Sequence, residues 1–293
     1  TVTMNAASME NSGFEFSATY RNRDHAFKYD ISANLSTLKN KVTSLGFGTD
    51  SYITGAYATY VGQEVGQFYG WVYEGIARTQ DQLDNHATQQ GANVGDCLYK
   101  DISGPDGVPD GVIDTYDQTV LGSGLPKVNF GLSAHMEYKN FDLSISTYGV
   151  LNYHVSDDIY NSLNSCYGPG NKDVAMGDAN RFADDGTYIS SVPRTYYANN
   201  ATLAWNDLFS SRKIQNAAYW KIANVELGYN FPDKWFGGYV SGVRLYVSAQ
   251  NLYTFTGYHG YNVDYAGGTF TPGYNFCSFP TPRTFMCGLH FTF

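Results

Sequence analysis

From Arg283 to Phe293 apolar and polar residues alternate without a break. Phe285, Cys287, Leu289, Phe291 and Phe293 fall on one face of an extended chain, and Thr284, Met286, Gly288, His290 and Thr292 fall on the other. A period of two held over about ten residues is that of a strand crossing a membrane in a β-barrel, apolar toward lipid and mixed toward the lumen. An ordinary strand of a soluble sandwich gives a similar pattern, so the other segments have to decide. The clearest is Phe27 to Leu35, where Phe27, Tyr29, Ile31, Ala33 and Leu35 alternate with Lys28, Asp30, Ser32 and Asn34. A helix would put Phe27 beside Ile31 but turn Tyr29 away, so the strand is favoured. Seven strands are expected, near residues 13–23, 26–37, 127–138, 141–150, 219–230, 243–252 and 283–293. In the fifth, Ala223, Val225, Leu227 and Tyr229 are expected on the apolar face. His135 and His290 are expected to face the lumen.

The connections sort into two kinds. Residues 22–25, Lys139-Asn140 and residues 232–242 are short, whereas 38–126, 151–218 and 252–282 are long and rich in polar residues, Gly and Tyr. Local strand signal is expected near Val65 to Ile76 and a short helix near Asp81 to Gln89. Short and long connections in strict alternation are the asymmetry of an outer-membrane barrel, with short periplasmic turns and long extracellular loops. This parity puts Phe293 at the periplasmic rim. Bacterial single-chain barrels have an even number of strands, and the count here is odd. The expectation is therefore that residues 1–293 form the C-terminal portion of a larger barrel. Phe285, Leu289, Phe291 and Phe293 would mark its closing strand, whose seam partner precedes Thr1 in a longer protein.

Composition narrows the class. The chain has 293 residues, of which 15% are charged and 16% aromatic, with 26 Tyr, 18 Phe, 4 Trp and 31 Gly against 9 Pro. Soluble domains average about 25% charged residues. Tyr suits places with one apolar and one wet side, such as membrane-interface girdles. No apolar run approaches the ~20 residues of a membrane-spanning helix. The net charge of −9, with no basic cluster, argues against a nucleic-acid partner. Cys97, Cys166, Cys277 and Cys287 match no zinc or redox spacing. Three of them lie in loops, where one disulfide is compatible with their placement.

Seven stretches in order resemble one family. They are Met9–Phe16, Tyr29–Ser36 with Asn40-Lys41-Val42, Glu64–Ile76 (Glu-Val-Gly-Gln-Phe-Tyr-Gly-Trp-Val-Tyr-Glu-Gly-Ile), Asp110–Asp114, Leu125-Pro126-Lys127, Trp220–Pro232 and Val243–Tyr258, followed by the terminal Phe. Together they resemble the C-terminal third of the SusC/RagA family of TonB-dependent outer-membrane transporters of Bacteroidetes. The resemblance implies an all-β fold, an antiparallel transmembrane barrel of about 22 strands closed by an N-terminal plug. It implies import of oligosaccharides or peptides, a SusD-like surface lipoprotein as partner, and energy from TonB. The partners would be the remainder of the same barrel (plug and N-terminal strands), the lipoprotein, TonB through the N-terminal part, and outer-membrane lipid. The alternatives are an outer-membrane receptor or assembly component without transport, and, more weakly, a soluble β-rich enzyme acting on carbohydrate.

Little in the sequence suggests catalysis. The six His, at 25, 86, 135, 154, 259 and 290, are dispersed, and Asp157-Asp158 and Asp184-Asp185 read as solvated loop charges. No catalytic residue is expected. The segment from Asp106 to Asp117 is a candidate Ca2+ loop. Asp106, Asp110, Asp114 and Asp117 occupy positions 1, 5, 9 and 12 of an EF-hand-like run, Val112 supplies the carbonyl position, and Gly111 sits at the sharp turn. Val108 stands where a third-position ligand belongs, and Asp117 replaces the bidentate Glu. A Gly/Asp turn cluster on the surface accounts for the same residues. Candidate substrate contacts are the loop aromatics Trp71, Tyr73, Tyr153, Trp205, Tyr258 and Tyr261, which alternatively pack the loops.

Overall fold

The computed structural model describes residues 7–167, 171–195, 205–236, 240–264 and 267–292. Seven strands build one antiparallel sheet: β1 (Glu15–Asn22), β2 (Phe27–Thr37), β3 (Val128–Tyr138), β4 (Phe141–Leu151), β5 (Tyr219–Phe231), β6 (Gly242–Thr256) and β7 (Thr284–Thr292). Their order in the sheet is their order in the chain. Such a meander is what hairpin connections between strands of alternating polarity produce. Phe293 lies outside the described residues.

Residues directly opposite each other in an antiparallel pair share a face, so the registers give the two surfaces of this wall. One cross-strand row runs Phe27, Tyr138, Phe141, Tyr229, Leu245, Leu289. A second row, Leu35, Phe130, Gly149, Trp220, Phe255, lies eight residues further up on β2 to β4 and nine and ten on the irregular β5 and β6. Between them the face is Ile31, Ala33, Leu132, Ala134, Leu143, Ile145, Val225, Leu227 and Val247. These side chains have no covering layer: Phe285 is 69% exposed, Leu289 58%, Phe141 52% and Val247 49%. The aromatic rows pack within themselves, with ring centroids 4.8 Å apart for Phe141–Tyr229 and 5.4 Å for Trp220–Phe255. Gly149 fits into the upper row because Phe130 lies over it. A Cβ there would come within 2.4 Å of the Phe130 ring.

The strand limits differ from the sequence expectation in two places, both on the loop side. β6 continues to Thr256, so the third loop begins later than residue 252. Beyond the wall, Ala7–Ser12 pairs with Lys39–Leu45 as a two-stranded ribbon. The first connection therefore starts with a strand rather than with loop.

One face assignment is corrected. Ala223 has no cross-strand partner, because the registers to β4 and to β6 both shift between Ile222 and Asn224. This bulge resets the parity. Trp220 and Ile222 join Val225, Leu227 and Tyr229 on the apolar face, while Lys221 and Tyr219 turn inward. The facing strand accommodates the extra residue at Asn251, which takes a left-handed backbone with φ 52°.

The long connections fold as a layer above the wall. The first contains a four-stranded sheet (Ser51–Thr54, Tyr57–Tyr60, Gln67–Gly70, Thr119–Gly122), a two-stranded pair (Tyr73–Ile76, Cys97–Tyr99) and a short helix, Gln80–Asp84, capped by Thr79. Both the strand signal near Val65–Ile76 and the helix were expected. The buried cores of the molecule lie here. Cys97, Tyr99, Ile113 and Trp205 form one. Val150, Tyr153, Val155, Ala217, Tyr219, Tyr258 and Val263 form another, which joins the wall's upper end to the second and third loops.

Candidate functional site: the polar face of the wall

The face opposite the aromatic rows carries the polar residues of every strand. Its lower half is charged. Asp142 of β4 and Arg244 of β6 face each other across Gly228 of β5. Arg244 Nε donates to Asp142 Oδ2 at 3.0 Å, and its terminal nitrogen donates to Asp142 Oδ1 and to Glu226 Oε1, the latter at 2.7 Å. Asn230 adds a donor to Asp142 at 2.9 Å. The bridge spans two strand spacings because Gly228 carries no side chain: a Cβ there would sit 2.4 Å from Asp142 Oδ2 and 2.5 Å from Arg244 Nε. Next to this group His135 hydrogen-bonds to Ser144 Oγ at 2.8 Å and to Glu137 Oε1 at 3.2 Å. The cluster lines a recess of about 470 Å3. Arg23 pairs with Asp30 at the rim. His135 and His290 both lie on this inner face, opposite Ser144 and Arg244 respectively, as the alternation predicted.

The upper half is almost free of charge. Asn34, Asn129, Ser133, Ser146 and Tyr148 line a recess of about 490 Å3, and Asn224 and Gln250 continue the amide lining on β5 and β6. Its cation among the described residues, Lys221, is 3% exposed; it pairs with Asp264 of the third loop and lies 5.7 Å from the centroid of the Tyr148 ring. Tyr148 Oη also reaches Asp264, at 3.2 Å. The Lys221–Asp264 pair ties the third loop to the wall.

The aromatic candidates are mostly packing residues in this conformation. Trp71, Tyr73 and Trp205 converge on Tyr99, with ring centroids 6.5, 6.5 and 6.2 Å away. Trp71 Nε1 donates to the Asp114 carbonyl and Trp205 Nε1 to that of Gln90, both at 2.9 Å. Tyr153 and Tyr258 are buried in the second core. Tyr258 Oη donates to the buried Asp157 carboxylate, and Asn275 Nδ2 donates to the same oxygen at 3.1 Å. Only Tyr261, 65% exposed, presents its ring to solvent among the six.

In the Asp-rich loop the carboxylates are engaged mainly by backbone N–H groups. Asp117 is fully buried and takes the backbone N–H groups of Ile102 (2.8 Å), Ser103 (3.2 Å) and Asp114 (2.9 Å). Asp114 accepts from Tyr116 N and Asp110 from Val112 N. Asp101 accepts from Gly111 N with one oxygen, and its other oxygen is buried without a partner. Val112 is held by a bridge to Thr88, and Asp106 is exposed. Among the described residues no three His, Cys, Asp or Glu side chains converge as metal ligands. The carboxylates act as turn and cap acceptors, which draws their oxygens toward the backbone rather than toward a common centre.

All four cysteines are free thiols, so no disulfide joins the loops. Burial pushes the Cys97 thiol up to about 12 and Cys166 up to about 11, although Arg212 nearby pulls both the other way. Their backbone N–H groups are held by neighbouring side chains, Cys97 by Asn206 at 2.6 Å and Cys166 by Asp207 at 3.1 Å. Burial likewise raises the Tyr99 phenol far above its ordinary range and lowers Lys213. The inner charged groups, Asp142–Arg244–Glu226 below and Lys221–Asp264 above, were not singled out from the sequence. The signal was present as charged residues at polar-face positions of strands, where a solvated edge reads the same.

No family model matches the chain. Along 99% of its length it is 30% identical to TonB-dependent receptor P3 of Formosa agariphila, covering 29% of that protein. It is 26% identical over 314 residues to TonB-dependent receptor SusC of Bacteroides thetaiotaomicron, covering 27% of it. The chain thus spans a little under a third of the length of the curated relatives it matches. Among solved structures it is similar to the RagAB peptide transporter, with a TM-score of 0.75 and 20% identity over 98% of this chain and 29% of that one. It is equally similar to the RagAB peptide importer in its closed-closed state, with a TM-score of 0.75 and 21% identity. These matches bear out the resemblance read from the seven motifs and the partial β-barrel fold, and they are receptors and transporters rather than enzymes.

Proposed function

We infer that this chain is part of the barrel wall of a SusC-like TonB-dependent receptor, set in the outer membrane and importing oligosaccharides or peptides. The observation that carries this reading is the pair of aromatic rows bounding an uncovered apolar band. Eight strand steps separate them, about 27 Å along a strand and a little over 20 Å along the axis at a tilt of about 40°. With side-chain reach this matches the apolar band of about 25 Å in an outer-membrane barrel. Loops lie on one side of the band and short turns on the other. The outer edges of β1 and β7 have no partner among the described residues. They are where the remaining strands of the barrel attach, because strand edges do not face lipid unpaired. A plug and TonB contacts belong to residues outside this chain, and a SusD-like lipoprotein would cover the loop layer.

Between the two substrate classes the wall favours the oligosaccharide. Its upper half presents amides, hydroxyls and tyrosine rings with no free charge, a lining suited to a neutral ligand rich in hydroxyls. Two measurements test the proposal on the full-length protein. Heat-modifiable migration in detergent is expected of the barrel, and purification as a soluble monomer without detergent would end this reading. Deletion of the gene is expected to abolish growth on one defined glycan. Unimpaired growth on every glycan and peptide tested would leave a receptor without transport.

A further inference from the structure

We propose that the third loop and the inner face of β5 and β6 form a subsite for one pyranose unit of an oligosaccharide, with Tyr261 as its aromatic platform. This rests on the oligosaccharide reading above. Residues 258–264 arch over the inner face between two buried feet, Tyr258 and Val263, both set in the core that joins the wall to the loops. Gly260 lets the arch pass close above the hydrogen bond from Tyr258 to Asp157. A Cβ there would come within 2.2 Å of Tyr258 Oη and 2.4 Å of Asp157 Oδ2. The backbone of the arch is held along its length. Thr256 Oγ1 accepts from Tyr258 N at 3.1 Å and donates to the Ala218 carbonyl at 3.0 Å. Gln215 Oε1 accepts from His259 N at 3.1 Å, and Asn262 Oδ1 accepts from Asp264 N at 2.9 Å. Asp264 then pairs with Lys221 of β5.

Beneath the arch lies a cavity of about 310 Å3. Its floor includes Lys221 and Thr254, directly opposite each other on the inward side of β5 and β6, with Thr256 beside them. Residues 260–263 form its roof, and Thr281 and Arg283 close it toward β7. The volume is at the low end for a ligand pocket, which suits one sugar ring rather than a run of chain. Lys221 is 3% exposed and its charge is met by Asp264 and the Tyr148 ring, so the floor supplies a donor without a free charge. Thr254 adds a hydroxyl and Asn262 an amide. Tyr261 is 65% exposed. Its ring offers an apolar face to the C–H side of a pyranose, and its phenol a partner for a ring hydroxyl. An extended peptide would call for a row of strand-like backbone partners, and residues 257–264 are not a strand. With both feet of the arch buried, the subsite is formed before a ligand arrives, which lowers the ordering cost of binding.

The test is isothermal titration of the full-length receptor in detergent with maltohexaose, laminarihexaose and mannohexaose in turn, and with hexa-alanine as the peptide control. Wild type is expected to bind one of the hexaoses and not the peptide. Tyr261→Ala, and Thr254→Trp, which fills the cavity, are each expected to weaken that binding about tenfold or more. Tyr261→Phe keeps the ring and is expected to lose less. Heat-modifiable migration of each variant confirms a folded barrel. Unchanged affinity in either folded Tyr261→Ala or folded Thr254→Trp overturns the subsite and leaves the oligosaccharide reading standing. Binding of hexa-alanine that the same two variants weaken makes the cavity a peptide site and also overturns the proposal. A receptor that binds none of the hexaoses overturns the oligosaccharide reading, and the subsite with it.

Discussion

Gly228 shows how one missing side chain organises the polar face. Arg244 reaches Asp142 over it, and a methyl group there would collide with both partners. Gly228→Ala is therefore expected to break the bridge and leave the buried Asp142 uncompensated, a loss of about 2–4 kcal/mol by analogy with other broken buried pairs. The midpoint of the heat-modifiable transition, compared with Asp142→Asn and the double variant, measures it. If the glycine acts only through the bridge, the two losses will not add. The buried thiols give a second residue-scale prediction. With folded pKa values of about 12 and about 11 against an ordinary 9.0, Cys97 and Cys166 remain protonated in the fold at pH 8. Alkylation there should be at least roughly a hundredfold slower than at the exposed Cys277, read by peptide mass spectrometry. The sign for stability follows from linkage. Above pH 9 the unfolded chain has lost these protons and the folded chain has not. Their contribution is whole below pH 9 and is lost as pH rises through about 11–12. A Cys97→Ala/Cys166→Ala variant should show a flatter alkaline loss of loop-layer stability.

At the scale of elements, the alternation in β1 to β4, β6 and β7 was legible because a strand's side chains take opposite faces by geometry alone. β5 escaped simple parity. Nothing in Ile222-Ala223-Asn224 announces a bulge, since its cause is the paired register with β4 and β6, and registers are tertiary. Deleting Ala223 should remove the bulge and join Ile222 to Asn224 in a regular ladder with β4, keeping Trp220 and Ile222 on the apolar face and Lys221 inward. The heat-modifiable barrel is therefore expected to persist. Its loss would show that the strand needs the bulge itself. At Asn251 the left-handed backbone makes a milder prediction. Asn251→Gly should be tolerated, and Asn251→Val should destabilise by about 1–2 kcal/mol, again read from the thermal transition.

For the whole molecule, the two exposed cysteines discriminate between lipid and water. Cys287 lies on the apolar face of β7 and Cys277 in the third loop, and both are exposed in the isolated wall. In intact membranes a charged maleimide is expected to label Cys277 and spare Cys287, and labelling of both at equal rates would count against an embedded wall. Much of this architecture was readable before any coordinates: the all-β wall, the faces of six strands, and the sorting of short from long connections. Local chemistry suffices for these, because alternation and turn residues act over a few positions. The loop aromatics and the Asp-rich loop were not readable in the same way. Whether Trp71 and Trp205 meet a ligand or both pack on Tyr99 depends on bringing together segments more than a hundred residues apart. Whether Asp117 holds an ion or three amides depends on how its own loop closes. The sequence by itself determined which residues of six strands stand on the apolar face and which on the polar face. The tertiary structure alone decided which of the inward and loop residues stand together, because that depends on register, bulges and loop packing.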